Sequence, residues 1–163
     1  MKLNFHGHEE KYTVEQSMLN LFPGEKPVYG PIAPEDDSWA DISLTEDGEL
    51  CRIRIALSRG GRRGEHAMEV PLSGSEFQRE GQRRHGVGRC FYLAARQVLP
   101  GDPPWGMLAG VRPVKLPTAL LREGNSPDRV LDILTHNYYI SPRRAQLALD
   151  CARASLAVSR GLR

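Results

Sequence analysis

Residues 39–44 and 50–57 alternate apolar with polar side chains on either side of Glu46-Asp47-Gly48-Glu49. Alternation with a period of two places one set on a core face and the other in water, and an Asp-Gly between two such runs is a strong hairpin signal. This pattern admits few folds: two antiparallel strands, the second with Cys51, Ile53, Ile55 and Leu57 on one side and Arg52 and Arg54 on the other. A third strand is predicted over residues 65–70, after the loop Arg59-Gly60-Gly61-Arg62-Arg63-Gly64. The result is a meander with one wet face.

Helical signals surround this meander. A first strand over residues 2–7, with Leu3 and Phe5 opposite Lys2, Asn4 and His6, precedes a helix that a Thr13…Gln16 capping box would open and Pro23-Gly24 would end. Residues 75–99 carry Val87, Cys90, Phe91, Ala94, Ala95 and Val98 at spacings of three and four, a stripe that faces a core. Gly81, Gly86 and Gly88 each weaken that helix by about 1 kcal/mol relative to alanine, so it is expected to begin or bend near them.

Beyond Pro100-Gly101-Asp102-Pro103-Pro104, three short helices are predicted: one over residues 113–123, one opened by Ser126-Pro127 and one by Ser141-Pro142. The expected fold class is therefore α+β. A small, mostly antiparallel sheet with packed helices occupies residues 1–99, an elbow spans 100–112, and a short all-helical tail covers 113–163.

Composition excludes several classes. A hydrophobic fraction of 40% and a charged fraction of 26% are those of a folding chain. No run approaches the roughly 20 apolar residues of a membrane span and no hydrophobic leader follows Met1, so a cytoplasmic protein without membrane partners is expected. Cys51, Cys90 and Cys151 are odd in number and far apart, which speaks for free thiols rather than a disulfide framework or Cys-x-x-Cys chemistry. Charge divides along the chain: residues 1–50 hold 3 basic and 11 acidic side chains, residues 51–163 hold 19 and 9. Arginine supplies 18 of the 22 cations, and its planar fork suits an anionic partner or the chain's own acidic half.

The most unusual segment is Trp105-Gly106-Met107-Leu108-Ala109-Gly110-Val111-Arg112-Pro113-Val114-Lys115-Leu116. Gly106 and Gly110 free the backbone, while Arg112 and Lys115 stand at the positive end of a helix, an arrangement that can hold an anion. The plainer reading, a rigid elbow with Trp105 as its plug, is preferred because one cationic corner is not a catalytic site.

Weaker signals end in structural readings. His6 and His8 project to one side of a strand but lack a third metal ligand, and His85-Gly86-Val87-Gly88-Arg89 resembles a phosphate loop without following a strand. Arg59, Arg62 and Arg63, with Arg79, Arg83, Arg84 and Arg89, could meet phosphates, and the last two helices, with Arg143, Arg144 and Gln146, have the form of a helix-turn-helix. A stand-alone RNA- or DNA-binding module is thus the alternative function, disfavoured because no aromatic residues interleave with these cations. Asp36, Asp37, Ser38 and Asp41 fit a surface turn better than a triad.

Pro104-Trp105-Gly106-Met107-Leu108-Ala109-Gly110-Val111-Arg112-Pro113-Val114-Lys115-Leu116, then Leu120-Leu121-Arg122-Glu123-Gly124, then Tyr139-Ile140-Ser141 with Ala145 and Leu149, resemble the N-terminal region of the HemZ-type oxygen-independent coproporphyrinogen III oxidase-like proteins. These are coproporphyrinogen dehydrogenases of the radical S-adenosylmethionine (SAM) class. The resemblance is specific over residues 104–152. It implies a non-catalytic N-terminal domain of an oxidoreductase of haem (porphyrin) biosynthesis. The partner would be the protein's own downstream radical SAM domain, and through it a tetrapyrrole substrate. The 4Fe-4S cluster and SAM would belong to that downstream part, on a Cys-x-x-x-Cys-x-x-Cys motif that this chain does not contain, so neither catalytic nor cofactor-binding residues are expected here.

Overall fold

In a computed structural model, residues 1–7, 10–108 and 112–161 are described. The chain forms two compact units, residues 1–102 and 103–163.

The first unit is built on a five-stranded sheet of order β2-β1-β3-β4-β5. Its strands are β1 (Lys2–His6), β2 (Val28–Tyr29), β3 (Trp39–Asp47), β4 (Leu50–Arg59) and β5 (Arg62–Pro71), with helix α1 (Lys11–Leu21) between β1 and β2 and helix α2 (Glu76–Ala95) after β5. Both predicted hairpins form, β3 with β4 and β4 with β5. The second is tighter than the sequence suggested. Gly60 and Gly61 both take positive φ, +58° and +76°, so a two-residue turn replaces the six-residue loop and β5 starts at Arg62.

The sheet is mixed rather than mostly antiparallel, because β1 pairs in parallel with both β2 and β3. Parallel neighbours need a crossover, and α1 with the proline-rich segment behind it supplies one. Hairpin turns advertise antiparallel pairing in a sequence. A crossover carries no comparable local mark.

One face of the sheet is covered. Leu3, Ala40, Ile42, Leu44, Cys51, Ile53, Ile55 and Leu57 pack beneath Val14 and Met18 of α1 and the predicted stripe of α2, whose Val87, Cys90, Phe91, Ala94 and Ala95 are all fully buried. Helix α1 starts two residues before Thr13, and its N-cap, Glu10, makes no side-chain cap bond; the Thr13…Gln16 box is not what opens it. The true box is at α2, where Ser75 accepts from Gln78 N–H and the Gln78 side chain accepts from Ser75 N–H.

That cap starts α2 well before the glycines, and the helix runs past all three without a break. A Cβ on Gly86 would lie 2.8 Å from Val70 Cγ2 and 3.0 Å from Ile53 Cδ1, so the missing side chain is what lets the helix approach the sheet. Gly64 of β5 is tighter still: a Cβ there would lie 2.2 Å from the backbone oxygen of Ala94. Gly64→Ala should therefore lower the stability of this unit by about 1 to 3 kcal/mol, through overpacking. Gly81→Ala, with open space around it, should raise it by up to about 1 kcal/mol. Urea midpoints of the two variants moving in the same direction would contradict this packing.

The second unit contains a 3-10 turn (Gly106–Leu108), α3 (Lys115–Arg122), α4 (Pro127–Asp132), a π-helical turn (Ile133–Asn137) and α5 (Pro142–Gly161). Ser126 caps α4 by accepting from Arg129 N–H at 3.2 Å, and Pro142 opens α5, as the two Ser-Pro pairs predict. Leu108, Val130, Leu134, Ile140, Ala145, Ala148 and Leu149 form its core. Among the described residues, no helix is long and apolar enough to cross a membrane.

Candidate functional site

Trp105 and Gly106 lie in a clasp within the helical unit. Gly106 has φ +52°, and a Cβ on it would meet the backbone oxygen of Tyr138 at 2.2 Å and that of Tyr139 at 2.5 Å. Two backbone bonds close the clasp. Met107 N–H donates to the Tyr138 carbonyl at 2.9 Å, and Ser141 N–H donates to the Pro104 carbonyl at 3.0 Å. Tyr139 itself takes φ +58°, a left-handed turn residue. Residues 104–107 and 138–141 are thus fastened together, and these are two of the segments that carry the family resemblance.

Trp105 packs on the core of the unit and receives the Arg144 guanidinium over its ring, 5.5 Å from the centroid. The cation over the Trp105 ring is Arg144, from α5. Arg112 and Lys115 are both exposed at the start of α3, where Lys115 N–H donates to the Arg112 carbonyl at 3.3 Å and Val114, the N-cap, makes no side-chain cap bond. Gly110 lies outside the described residues. The helix starts at Lys115 rather than at Pro113, so Arg112 sits three residues ahead of it, in the entering turn.

Four arginines of the first unit find carboxylate partners within it. Arg59 donates to Glu25 at 2.9 Å, Arg83 to Glu46 and Glu76, Arg52 to Glu69 at 3.2 Å, and Arg54 to Glu65 at 2.7 Å. Glu25 and Glu46 belong to the acidic stretch of the first fifty residues, so part of the charge division along the sequence is resolved by internal ion pairs. The other loop arginines are engaged without a carboxylate: Arg62 donates to the Leu99 carbonyl and Arg63 lies over the Trp39 ring, 5.5 Å from its centroid.

On the uncovered face of the sheet lies a depression of about 480 Å³ lined by Asn4, His6, Trp39, Asp41, Arg54 and Arg63, among others. His6 Nε2 is 2.8 Å from Asp41 Oδ1, and Asn4 Nδ2 donates to the same oxygen at 2.9 Å. The sequence pattern marks Asn4 and His6 as a wet face of β1. Their meeting with Asp41 requires the parallel β1–β3 register, which pairs Asn4 with Asp41 and His6 with Ser43. His6 thus has a carboxylate neighbour, while His8 lies outside the described residues. The Gly86-Val87-Gly88 run is buried inside α2 and is not a phosphate loop. Asp36 closes a turn by accepting from Ala33 N–H, and Ser38 donates to Glu25, thirteen residues earlier in the chain.

The thiols do not suit an iron–sulfur cluster, which needs converging thiolates. Cys51 and Cys90 are fully buried between sheet and helix, and burial pushes both thiols up, Cys90 to about 12. They are protonated packing groups at neutral pH. Cys151 is exposed on α5, in the other unit. His85 is also tuned by its surroundings, burial first and the Arg89 charge second, both lowering its pKa and favouring the neutral ring.

The chain matches no protein-family model and no curated protein.

Proposed function

We propose that this chain is the non-catalytic N-terminal part of a radical SAM protein of the HemZ-type coproporphyrinogen dehydrogenase kind, supporting a catalytic barrel that lies on further polypeptide. The observation that carries this reading is the clasp. The residues of the resemblance, Pro104, Trp105, Gly106 and Tyr139-Ile140-Ser141, serve to fasten the helical unit rather than to hold a reactant. A motif with an architectural role belongs in a supporting domain. The packing roles of Cys51 and Cys90 agree with this, since cluster thiols would have to come from elsewhere.

The parent reaction would be oxidative decarboxylation of porphyrinogen propionates in the cytoplasm, for which a 4Fe-4S cluster and SAM supply the radical chemistry. Within this chain, Arg112 and Lys115 are exposed cations able to meet the barrel or an anionic group of its substrate or cofactor. In the full-length protein, Arg112→Ala with Lys115→Ala should lower turnover about tenfold, equivalent to about 1.4 kcal/mol, while the far-UV spectrum of the protein stays unchanged. Unaltered turnover and stability would remove that role. The reading as a whole is tested by iron analysis. Full-length protein should bind a cluster and cleave SAM, whereas stoichiometric iron on this chain alone, with SAM cleavage, would overturn it.

A further inference from the structure

A cleft between α3 and α5, about 240 Å³ in volume, is lined by three arginines, Arg122, Arg153 and Arg160, over an apolar floor of Leu121, Leu156 and Ala157. All three arginines are exposed, and among the described residues none of them has an ion pair. This is unlike the first unit, where arginine after arginine meets a carboxylate.

The helical unit, residues 103–163, holds nine Lys and Arg against four Asp and Glu. None of those four carboxylates lines the cleft. Asp132 pairs with Arg129 at 2.7 Å and lies 3.0 Å from His136. Asp150 accepts from Gln146 at 2.9 Å, and Asp128 stands in the first turn of α4, where the helix dipole favours it. Glu123 acts on Tyr138, whose hydroxyl pKa is raised by burial first and by that carboxylate second. Among the described residues, none of these four carboxylates forms an ion pair with an arginine of the cleft.

The bland account is that cations complement helix C-termini. It covers Arg122 in the last turn of α3 and Arg160 in the last turn of α5. It does not cover Arg153, which sits in the interior of α5 and lines the same cleft. Each helix end carries roughly half a negative charge, so two ends offset about one of the three guanidinium charges. A surplus of about two positive charges remains around the cleft. Like charges gathered in this way repel one another unless an anion joins them.

We infer that this cleft is an oxyanion site, taking a ligand with two or three negative charges on phosphate or carboxylate oxygens, the groups that a guanidinium fork binds bidentately. The site stands apart from the function proposed above and needs neither cluster nor barrel.

Titration of the purified chain at low salt with inorganic pyrophosphate, and separately with tricarballylate, followed by amide NMR, tests it. Saturable shifts at Leu121 and Leu156 are expected, with affinity about tenfold weaker in Arg153→Gln and lost in the variant carrying Arg122→Gln, Arg153→Gln and Arg160→Gln. Arg143→Gln, with the same loss of charge outside the cleft, should bind as the parent does. Helical content should be retained in every variant, because the replaced heads are exposed. Tighter pyrophosphate binding assigns the site to phosphates, and tighter tricarballylate binding assigns it to carboxylates. Shifts that do not saturate, or equal weakening by Arg143→Gln and Arg153→Gln, would overturn the assignment.

Discussion

Replacing Gly106 by alanine is expected to unfold the helical unit. The backbone at this position has φ +52°, a left-handed conformation that costs an L-residue about 1 to 2 kcal/mol. The added methyl group has a second, larger consequence. It would lie 2.2 Å from the Tyr138 oxygen and 2.5 Å from both the carbonyl carbon and oxygen of Tyr139, all of them backbone atoms. No rotamer change can move them away. Relief requires residues 104–107 to separate from 138–141, which breaks the Met107–Tyr138 and Ser141–Pro104 bonds and lifts Trp105 from its core. Strain, clash and lost packing together should exceed about 4 kcal/mol, the range of severe single substitutions. A unit of some sixty residues has little stability beyond that. Gly124→Ala provides the control: φ is +94° there but nothing lies within 4 Å, so only the conformational cost applies. Amide-resolved hydrogen exchange should show protection of α4 and α5 collapsing in Gly106→Ala and largely retained in Gly124→Ala. Equal protection in the two would mean that the clasp does not hold the unit together.

The parts of this fold that could be read from the sequence are those governed by neighbours along the chain. The three strands of the meander follow from alternation and the β3–β4 turn from Asp47-Gly48, and the cap at Ser126 and the helix-opening Pro142 follow from their own side chains. The parallel placement of β1 beside β3 could not be read in this way, because it depends on where α1 returns the chain. With it went the meeting of Asn4 and His6 with Asp41. The three glycines of α2 illustrate the opposite error. Propensity alone argues for a break, yet the approach of Gly86 to Ile53 and Val70 supplies packing that outweighs it. For the elbow, the unusual composition of residues 105–116 was visible, but the partner of Trp105 was not. Arg144 lies almost forty residues away and reaches the ring only once the clasp has formed. Charge asymmetry along the chain marks the acidic half as a partner for the arginines. Which carboxylate receives which arginine is decided by strand register.

Glu25 is the clearest case of such a meeting, and its loss should be the main electrostatic weakness of the first unit. Its carboxylate accepts from the Met1 ammonium at 2.6 Å, from Ser38 Oγ at 2.8 Å and from Arg59 Nε at 2.9 Å. These donors belong to the start of β1, the residue just before β3 and the end of β4, so one side chain ties three strand ends together. Burial alone would raise its pKa, but the hydrogen bonds from the ammonium, Ser38 and Arg59 outweigh burial and hold the carboxyl at about 2, against 4.5 for the free group. A folded-state pKa below the unfolded one means that the ionised form is the stabilised form. Its contribution is complete above about pH 4.5 and disappears as the pH falls to about 2. At 1.36 kcal/mol per pH unit, the contribution is at most about 3 kcal/mol. Glu25→Gln should therefore lower stability at pH 7 by about 2 to 3 kcal/mol, and the variant should lose less than the parent on going from pH 5 to pH 3. Urea midpoints at pH 7, 5 and 3 measure both. A variant as stable as the parent at pH 7, with the same decline towards acid, would show that this carboxylate binds its three neighbours no better than water does.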